Sequence, residues 1–487
     1  MINQTLHYIM EEVKEKSLIK KTKKVRTKLI ELQQKLRKCD FPVIILFAGV
    51  NGAGKHETID KLNEWMDPRW LNNHAFGKPS DDERQRPNNW KYWEKLPPKG
   101  QIGLYLNGWQ NPPLLKYARE KISKKEFVDR MQHIADLEKM LKDDGALIIK
   151  FWMHIDEDLQ EERYNELKKD PLTSWQVETY EWEKKKYYKE LINASEIMFK
   201  IHENTPWTTI DGADSELCPL VTAKTILKKI KERMKNPPVS AVPKFHSSSR
   251  NFLKAHNDLK TISKAEYTEA LHSLQGKLYQ LHHEAHKQKR AALMLFEGWD
   301  AAGKGGAIRR MVRGMDARHY NVIPIGAPTK EEHKYHYLWR FWKHIPKDGE
   351  VTIFDRTWYG RVLVERIEGF ATEAEWKRAY QEINDFEEEM VNHGIILCKF
   401  WMNISQEVQL ERFNLRKNTP HKSWKLTEED WRNREKWGLY EEAVNDMIAY
   451  THNDNAPWNI IEGNDKSYAR IKVLKKVCQA FEDALKK

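Results

Sequence analysis

Two short apolar runs, Val43 to Ala48 and Ala291 to Phe296, stand at corresponding places in the chain. Each follows a basic stretch whose apolar residues recur at helical spacing (Leu18 to Lys38; Tyr267 to Lys289), and each leads into a glycine-rich turn. An uninterrupted apolar run of this length, bounded by turn residues, predicts a strand buried on both faces. Further runs at Ile102 to Leu106, Val351 to Asp355, Ala146 to Met153 and Ile395 to Met402 predict second and third strands in each half. The stretches between them carry apolar residues at a period near 3.6 and predict helices. Strands alternating with helices imply a parallel sheet covered on both faces, so each half is expected to be a three-layer α/β/α sandwich.

The correspondence between the halves is literal. Lys150-Phe-Trp-Met153 recurs as Lys399-Phe-Trp-Met402, and Glu162-Arg163-Tyr164-Asn165 as Glu411-Arg412-Phe413-Asn414, both at an offset of 249 residues. Ser174-Trp175 matches Ser423-Trp424 at the same offset, and Asn204-Thr-Pro-Trp207 matches Asn455-Ala-Pro-Trp458 at 251. The repeating unit is thus a whole domain rather than a solenoid repeat. Pro and Ser concentrate between Lys235 and Ser249, which reads as an extended linker. The expected division is a domain at 1–234, a linker at 235–250 and a second domain at 251–487.

Composition adds sign and compartment. Among 487 residues, Lys plus Arg exceed Asp plus Glu by 11, a bias that fits a polyanionic partner and fits a well-solvated basic surface equally. The four cysteines form no CxxC pair, which gives neither a zinc site nor a disulfide framework. The opening MINQTLHYIMEEVKEK lacks the apolar block of a secretory signal, and no run approaches the ~20 apolar residues needed to span a bilayer. A reducing cytoplasm and no membrane are therefore expected. His333, His336, His344 and His421 show no HxxxH ligand spacing and read as surface or phosphate-contacting groups.

The candidate chemistry lies in the second half. The strand ending at Phe296 leads into Gly298-Trp-Asp-Ala-Ala-Gly303-Lys304-Gly305-Gly306, and a helix opens at Ala307. Gly-x4-Gly-Lys between a strand and a helix is a phosphate-binding loop: glycines let backbone N–H groups turn toward a phosphate, the helix N-terminus adds partial positive charge, and the lysine supplies a cation. Gly305 replaces the Ser or Thr that ordinarily ligates Mg²⁺ in such loops. Carboxylates must then hold the metal, and Asp300 in the loop and Asp355 at the end of a strand are the candidates.

These residues resemble a known family. Gly298 to Gly306, Asp355-Arg-Thr-Trp-Tyr-Gly-Arg361 with Val364-Glu365-Arg366, and Trp424-Lys-Leu-Thr427 are similar to the motifs of the polyphosphate kinase 2 family. The resemblance covers both halves and is nearest to its two-domain subgroup acting on AMP. It implies tandem P-loop kinase-like domains with helical lids, and phosphoryl transfer from inorganic polyphosphate to AMP, giving ADP, with Mg²⁺. It further implies no nucleic-acid partner and subunits that assemble into homo-oligomers. Asp300 and Asp355 would hold Mg²⁺. Lys304 and Arg356 would neutralise the transferring phosphoryl group, cradled by Gly298, Gly303, Gly305 and Gly306. Arg361 and Glu365 would face the nucleotide. A helical lid from about Ser405 would bring Arg412, then Lys422 and Lys425, over the polyphosphate.

The first half is damaged. Its loop survives as Gly49-Val-Asn-Gly-Ala-Gly-Lys55, but Asp300 becomes Asn51, Asp355 becomes Leu106 and Arg356 becomes Asn107. Arg361 and Glu365 become Pro112 and Lys116. The first domain is expected to be non-catalytic. Trp358 reads as a packing aromatic, whereas Trp299 is open between packing and stacking on adenine. Two rival functions remain at this stage: a related kinase using ATP as donor or a nucleoside diphosphate as acceptor, and a non-catalytic polyanion-binding protein.

Overall fold

Each half of the chain builds one five-stranded sheet. In the computed structural model, which describes residues 18–179, 185–238, 241–256, 259–420 and 427–486, the strands of the first sheet are β1 (Val43–Gly49), β2 (Leu71–Ala75), β3 (Ile102–Leu106), β4 (Leu147–His154) and β5 (Trp207–Asp211). Those of the second are β6 (Ala292–Gly298), β7 (Tyr320–Pro324), β8 (Val351–Asp355), β9 (Ile396–Asn403) and β10 (Trp458–Glu462). The orders are β2-β3-β1-β4-β5 and β10-β9-β6-β8-β7, one the mirror of the other in notation, with all neighbours parallel. The loop-bearing strands β1 and β6 are central and buried along almost their whole length. Strands buried on both faces require helices on both, which makes each half an α/β/α layered unit as its apolar runs predict.

Two strands per sheet escaped the hydrophobic pattern. β2 (Leu-Asn-Asn-His-Ala) and β7 (Tyr-Asn-Val-Ile-Pro) lie at sheet edges with mostly half-buried or exposed residues. β5 and β10 occupy the other edges and are only five residues long. An edge strand is paired on one side only and need not be apolar, so periodicity does not reveal it.

The chain also divides in space differently from the expected single cut. One compact unit comprises Met1–Pro79, Lys91–Ser240 and Lys330–His336; the other comprises Ser80–Trp90, Ala241–Thr329 and Tyr337–Lys487. Within the second unit, the segment Ser80–Trp90 is held by specific bonds. Trp90 Nε1 donates to the Trp342 carbonyl at 3.1 Å, and Asn89 donates its backbone N–H and its Nδ2 to Glu389 at 2.9 and 3.0 Å. Burial pushes the Glu389 carboxyl up to about 7. Within the first unit, Lys99 N–H donates to the Lys334 carbonyl at 2.9 Å. These two segments stand at the same place of the repeat, and their allegiance depends on side-chain contacts that no periodicity encodes.

The repeated Lys-Phe-Trp-Met motif places a lysine in the middle of a buried strand in both units. Lys399 Nζ donates to Glu387 Oε2 at 2.8 Å, to the Thr451 carbonyl at 2.6 Å and to Tyr359 Oη at 3.1 Å. Glu387 Oε1 in turn accepts from Trp358 Nε1 at 3.0 Å and Tyr359 Oη at 2.6 Å. Lys150 repeats this with Glu138 at 2.5 Å, while Trp109 Nε1 donates to Glu138 at 2.9 Å. Burial lowers the pKa of both lysines, and the paired carboxylates oppose it. Among the described residues no helix is long and apolar enough to cross a membrane.

Breaking such a pair from one side leaves an uncompensated buried charge, which costs about 3–5 kcal/mol. Glu387→Ala should therefore lower the Tm in a thermal melt by several degrees, and an unchanged Tm would show that the lysine finds another partner.

Candidate active site

The loop between β6 and the helix Lys304–Val312 has a backbone that its sequence enforces. Gly298 has φ 144°, and a Cβ there would lie 2.5 Å from the Met402 carbonyl oxygen on the adjacent strand, so only glycine fits. Gly303, at φ 107°, caps the helix, and Gly305 and Gly306 form its first turn. Ala301 adopts φ 62°, a left-handed conformation that costs a non-glycine residue about 1–3 kcal/mol and needs support from its surroundings.

Arg412 supplies that support. Its Nη1 donates to the carbonyls of Ala301 and Ala302 at 3.0 and 3.3 Å, and its Nη2 donates to those of Gly463 and Asn464 at 2.7 and 3.0 Å. The side chain is buried, and burial pushes its pKa down to about 10, still cationic at neutral pH. Arg412 was expected to reach over the polyphosphate from the lid. In the structure all four carbonyls it bonds belong to the loop and to the turn after β10, so it braces the loop. Gln409 adds a bond from Nε2 to the Asp300 carbonyl at 3.1 Å. Both residues lie on the helix Gln406–Lys417, whose N-cap is Ser405 as the lid expectation requires. Lys422 and Lys425 lie outside the described residues.

The charged groups converge at the C-terminal ends of β6 and β8, the usual ligand edge of a parallel sheet. Lys304 Nζ bonds the carbonyls of Gly298 and Trp299 at 2.6 and 3.2 Å, which holds the ammonium over the loop. Arg356, at φ 67° just after β8, donates from Nη2 to Asp300 Oδ1 at 3.2 Å. Burial lowers the pKa of Arg356, but the carboxylates of Asp300, Glu297, Glu429 and Asp355 outweigh it and hold the pKa above its ordinary value. Asn433 Nδ2 donates to Asp300 Oδ2 at 3.0 Å, a positioning contact from the helix Glu428–Glu435 that no sequence motif signalled. Arg361 and Glu365 pair with each other at 3.0 Å, and the guanidinium lies 4.4 Å from the centre of the Tyr337 ring. Trp299 stacks on Trp437 at 3.7 Å and donates to Asn403, and Trp358 packs among Phe341, Phe354 and Phe386. Both tryptophans are packing residues.

The donor set suits a hard divalent cation. A Cβ at Gly305 would come 3.9 Å from Asp355 Oδ2, so a carboxylate faces the position where other phosphate loops carry a metal-binding hydroxyl. With Asp300 in the same loop, two carboxylates offer the oxygen ligands that Mg²⁺ prefers.

The first unit keeps the loop and its bracing. Lys55 Nζ bonds the carbonyls of Gly49 and Val50 at 3.0 and 2.7 Å, Arg163 donates to those of Gly52, Gly212 and Ala213, and Gln160 to that of Asn51. Asn107 repeats the left-handed backbone of Arg356 at φ 55°. What it lacks is the charge: Leu106 and Asn107 stand where the second unit has Asp355 and Arg356.

A sequence profile of the family Polyphosphate kinase 2 (PPK2) matches residues 12–238 and again residues 261–487. A polyphosphate:AMP phosphotransferase of Pseudomonas aeruginosa is 42% identical over 489 residues, covering 99% of this chain and 98% of the relative. One from Acinetobacter johnsonii is 36% identical, covering 90% and 91%. A crystal structure of a polyphosphate kinase 2 from Pseudomonas aeruginosa superposes with a TM-score of 0.87 at 39% identity, covering 97% of both chains.

If Arg412 braces the loop, Arg412→Ala should lower both Tm and turnover while leaving the KM for a phosphate-chain donor within about threefold. Arg412→Lys should not restore turnover, because one ammonium cannot replace a planar fork bonded to four carbonyls. A selective rise in donor KM would return the residue to the donor surface.

Proposed function

The chain belongs to the polyphosphate kinase 2 family, and from that premise we propose that its second unit moves a phosphoryl group from inorganic polyphosphate to AMP, giving ADP. The observation that carries this reading is the complete set of Asp300, Lys304, Asp355 and Arg356 around a braced phosphate loop. The terminal P–O–P bond of the donor breaks as a bond forms from phosphorus to an oxygen of the AMP phosphate, and the donor chain leaves one phosphate shorter. That acceptor oxygen is already ionised, so the site needs no strong general base. It needs positioning and charge neutralisation. Lys304 and Arg356 balance the oxygens of the transferring group, and Arg361 and Glu365 orient the nucleotide. Asp300 and Asp355 are the residues that would hold Mg²⁺, which when bound neutralises charge developing on the phosphate oxygens. The four cysteines are free, which suits work in a reducing cytoplasm.

The first unit, without the two carboxylates and Arg356, is non-catalytic in this reading. An ATP donor is disfavoured by Gly305, and a pure polyanion binder gains nothing from carboxylates beside its phosphate site.

Incubation with Mg²⁺ and polyphosphate plus AMP, ADP, GMP or GDP separately, with product identification, tests the substrate assignment. ADP from AMP is expected, and phosphorylation of diphosphates only would overturn it. In the same assay Asp300→Asn and Asp355→Asn should each lose about 10²-fold or more in turnover. Lys304→Ala should nearly abolish activity, whereas Lys55→Ala should stay within about threefold, since about 1.4 kcal/mol of lost transition-state stabilisation is already tenfold. Equal damage from the two lysine variants would reassign the chemistry.

A further inference from the structure

The two copies of the unit keep different side chains, and the difference separates what the fold needs from what the chemistry needs. Both keep the loop lysine, the arginine on the loop carbonyls and the buried lysine–glutamate pair. The first copy has lost Asp300, Asp355 and Arg356 together. Two further residues left with them: Glu297 corresponds to Ala48, and Thr357 to Gly108.

Glu297 and Thr357 are bonded to each other. Thr357 donates its backbone N–H and its hydroxyl to Glu297 Oε1 at 2.7 and 2.8 Å, and Thr357 Oγ1 accepts the Tyr359 N–H at 3.1 Å. The turn that this brace spans does not need it in order to form. In the first unit Asn107 takes φ 55° and donates its N–H to the Phe47 carbonyl at 3.1 Å. In the second, Arg356 takes φ 67° and donates to the Phe296 carbonyl at 3.0 Å. Burying an ionisable carboxyl at the end of a strand is unfavourable. Glu297 is only 6% exposed, and burial raises its pKa against the opposing pull of Lys304, Thr357 and Arg356. A group that is costly to bury, dispensable to the backbone and present only beside the intact site serves that site.

We infer that Glu297 is a positioning residue for phosphoryl transfer: from the end of β6 its carboxylate fixes the Asp355–Arg356–Thr357 turn and counterbalances Lys304 and Arg356. It contacts neither substrate. Thr357 transmits the constraint to the residues on either side, and the negative charge keeps the two cations aimed at the loop mouth rather than repelling each other apart. The inference rests on the reaction proposed above, because that reaction depends on the placement of Lys304, Asp355 and Arg356.

The test compares Glu297→Ala, which removes both bonds and the charge, with Glu297→Gln, whose amide oxygen keeps the Thr357 bonds and removes only the charge. Gln is nearly isosteric and uncharged, so that variant should fold. Expected are a loss of turnover of about 10²-fold for Ala and about tenfold for Gln, with KM for AMP and polyphosphate within about threefold and circular dichroism unchanged. An Ala variant within about threefold of the parent in turnover overturns the inference, as does a loss seen only in KM. So does a loss of turnover in both variants that tracks a falling folded fraction, which would mark a structural role. ADP formation by the parent is read in the same series. A parent without it removes the proposed reaction and this inference together, whereas an active parent with a full-speed Ala variant removes the positioning role alone.

Discussion

A lysine ammonium in the middle of a parallel sheet can persist only if carboxylate and hydrogen-bond partners meet it there, and much of this structure is arranged around that constraint. Lys399 on β9 is met by Glu387 from the helix Glu373–His393, by the Thr451 carbonyl and by Tyr359. Because Glu387 also accepts from Trp358 and Tyr359, the same pair fixes the segment that follows Asp355 and Arg356. The sheet, its covering helix and the charged turn at its edge thus share one polar anchor. The first unit repeats the anchor with Lys150, Glu138 and Trp109, although its turn has lost its charges. An element preserved where those charged residues are absent belongs to the fold.

The active edge is built in the same economical way. Four backbone carbonyls and one guanidinium stabilise a loop that contains a non-glycine residue at positive φ. Asp300 is held from two sides by Arg356 and Asn433, and Arg361 and Glu365 hold each other as an ion pair. Phosphoryl transfer asks little of a protein beyond such preorganised charge, since bond making and breaking occur between phosphate groups.

Duplication makes the molecule its own control. The two loops agree in lysine, arginine and glutamine contacts and in left-handed backbone positions, while charge at the ends of β1 and β3 has been replaced by Asn51, Leu106 and Asn107. The loop geometry is thus retained in the first unit while the charge beside it is not. The retained first unit still requires its own core and loop to pack, which explains why neither has degraded.

The linear sequence determined the layered parallel architecture, the duplication and the phosphate loop, because burial on both faces forces unbroken apolar runs and because a glycine-lysine pattern after a strand has few other uses. It also shows which half keeps the full charged set, since a fixed offset compares Asp300 with Asn51 and Asp355 with Leu106 directly. The same offset marks Glu297 against Ala48, but its meaning appears only when the carboxylate is seen bonded to Thr357. Edge strands β2 and β7 were illegible because one-sided pairing leaves their side chains free to be polar. The allegiance of Ser80–Trp90 and Lys330–His336 was illegible because it rests on a few directed bonds. Arg412 reads in sequence as one more cation on a lid helix. Only packing decides that its guanidinium turns inward, because an arginine's five donors go wherever unsatisfied backbone carbonyls lie, and here those carbonyls belong to the strained loop itself.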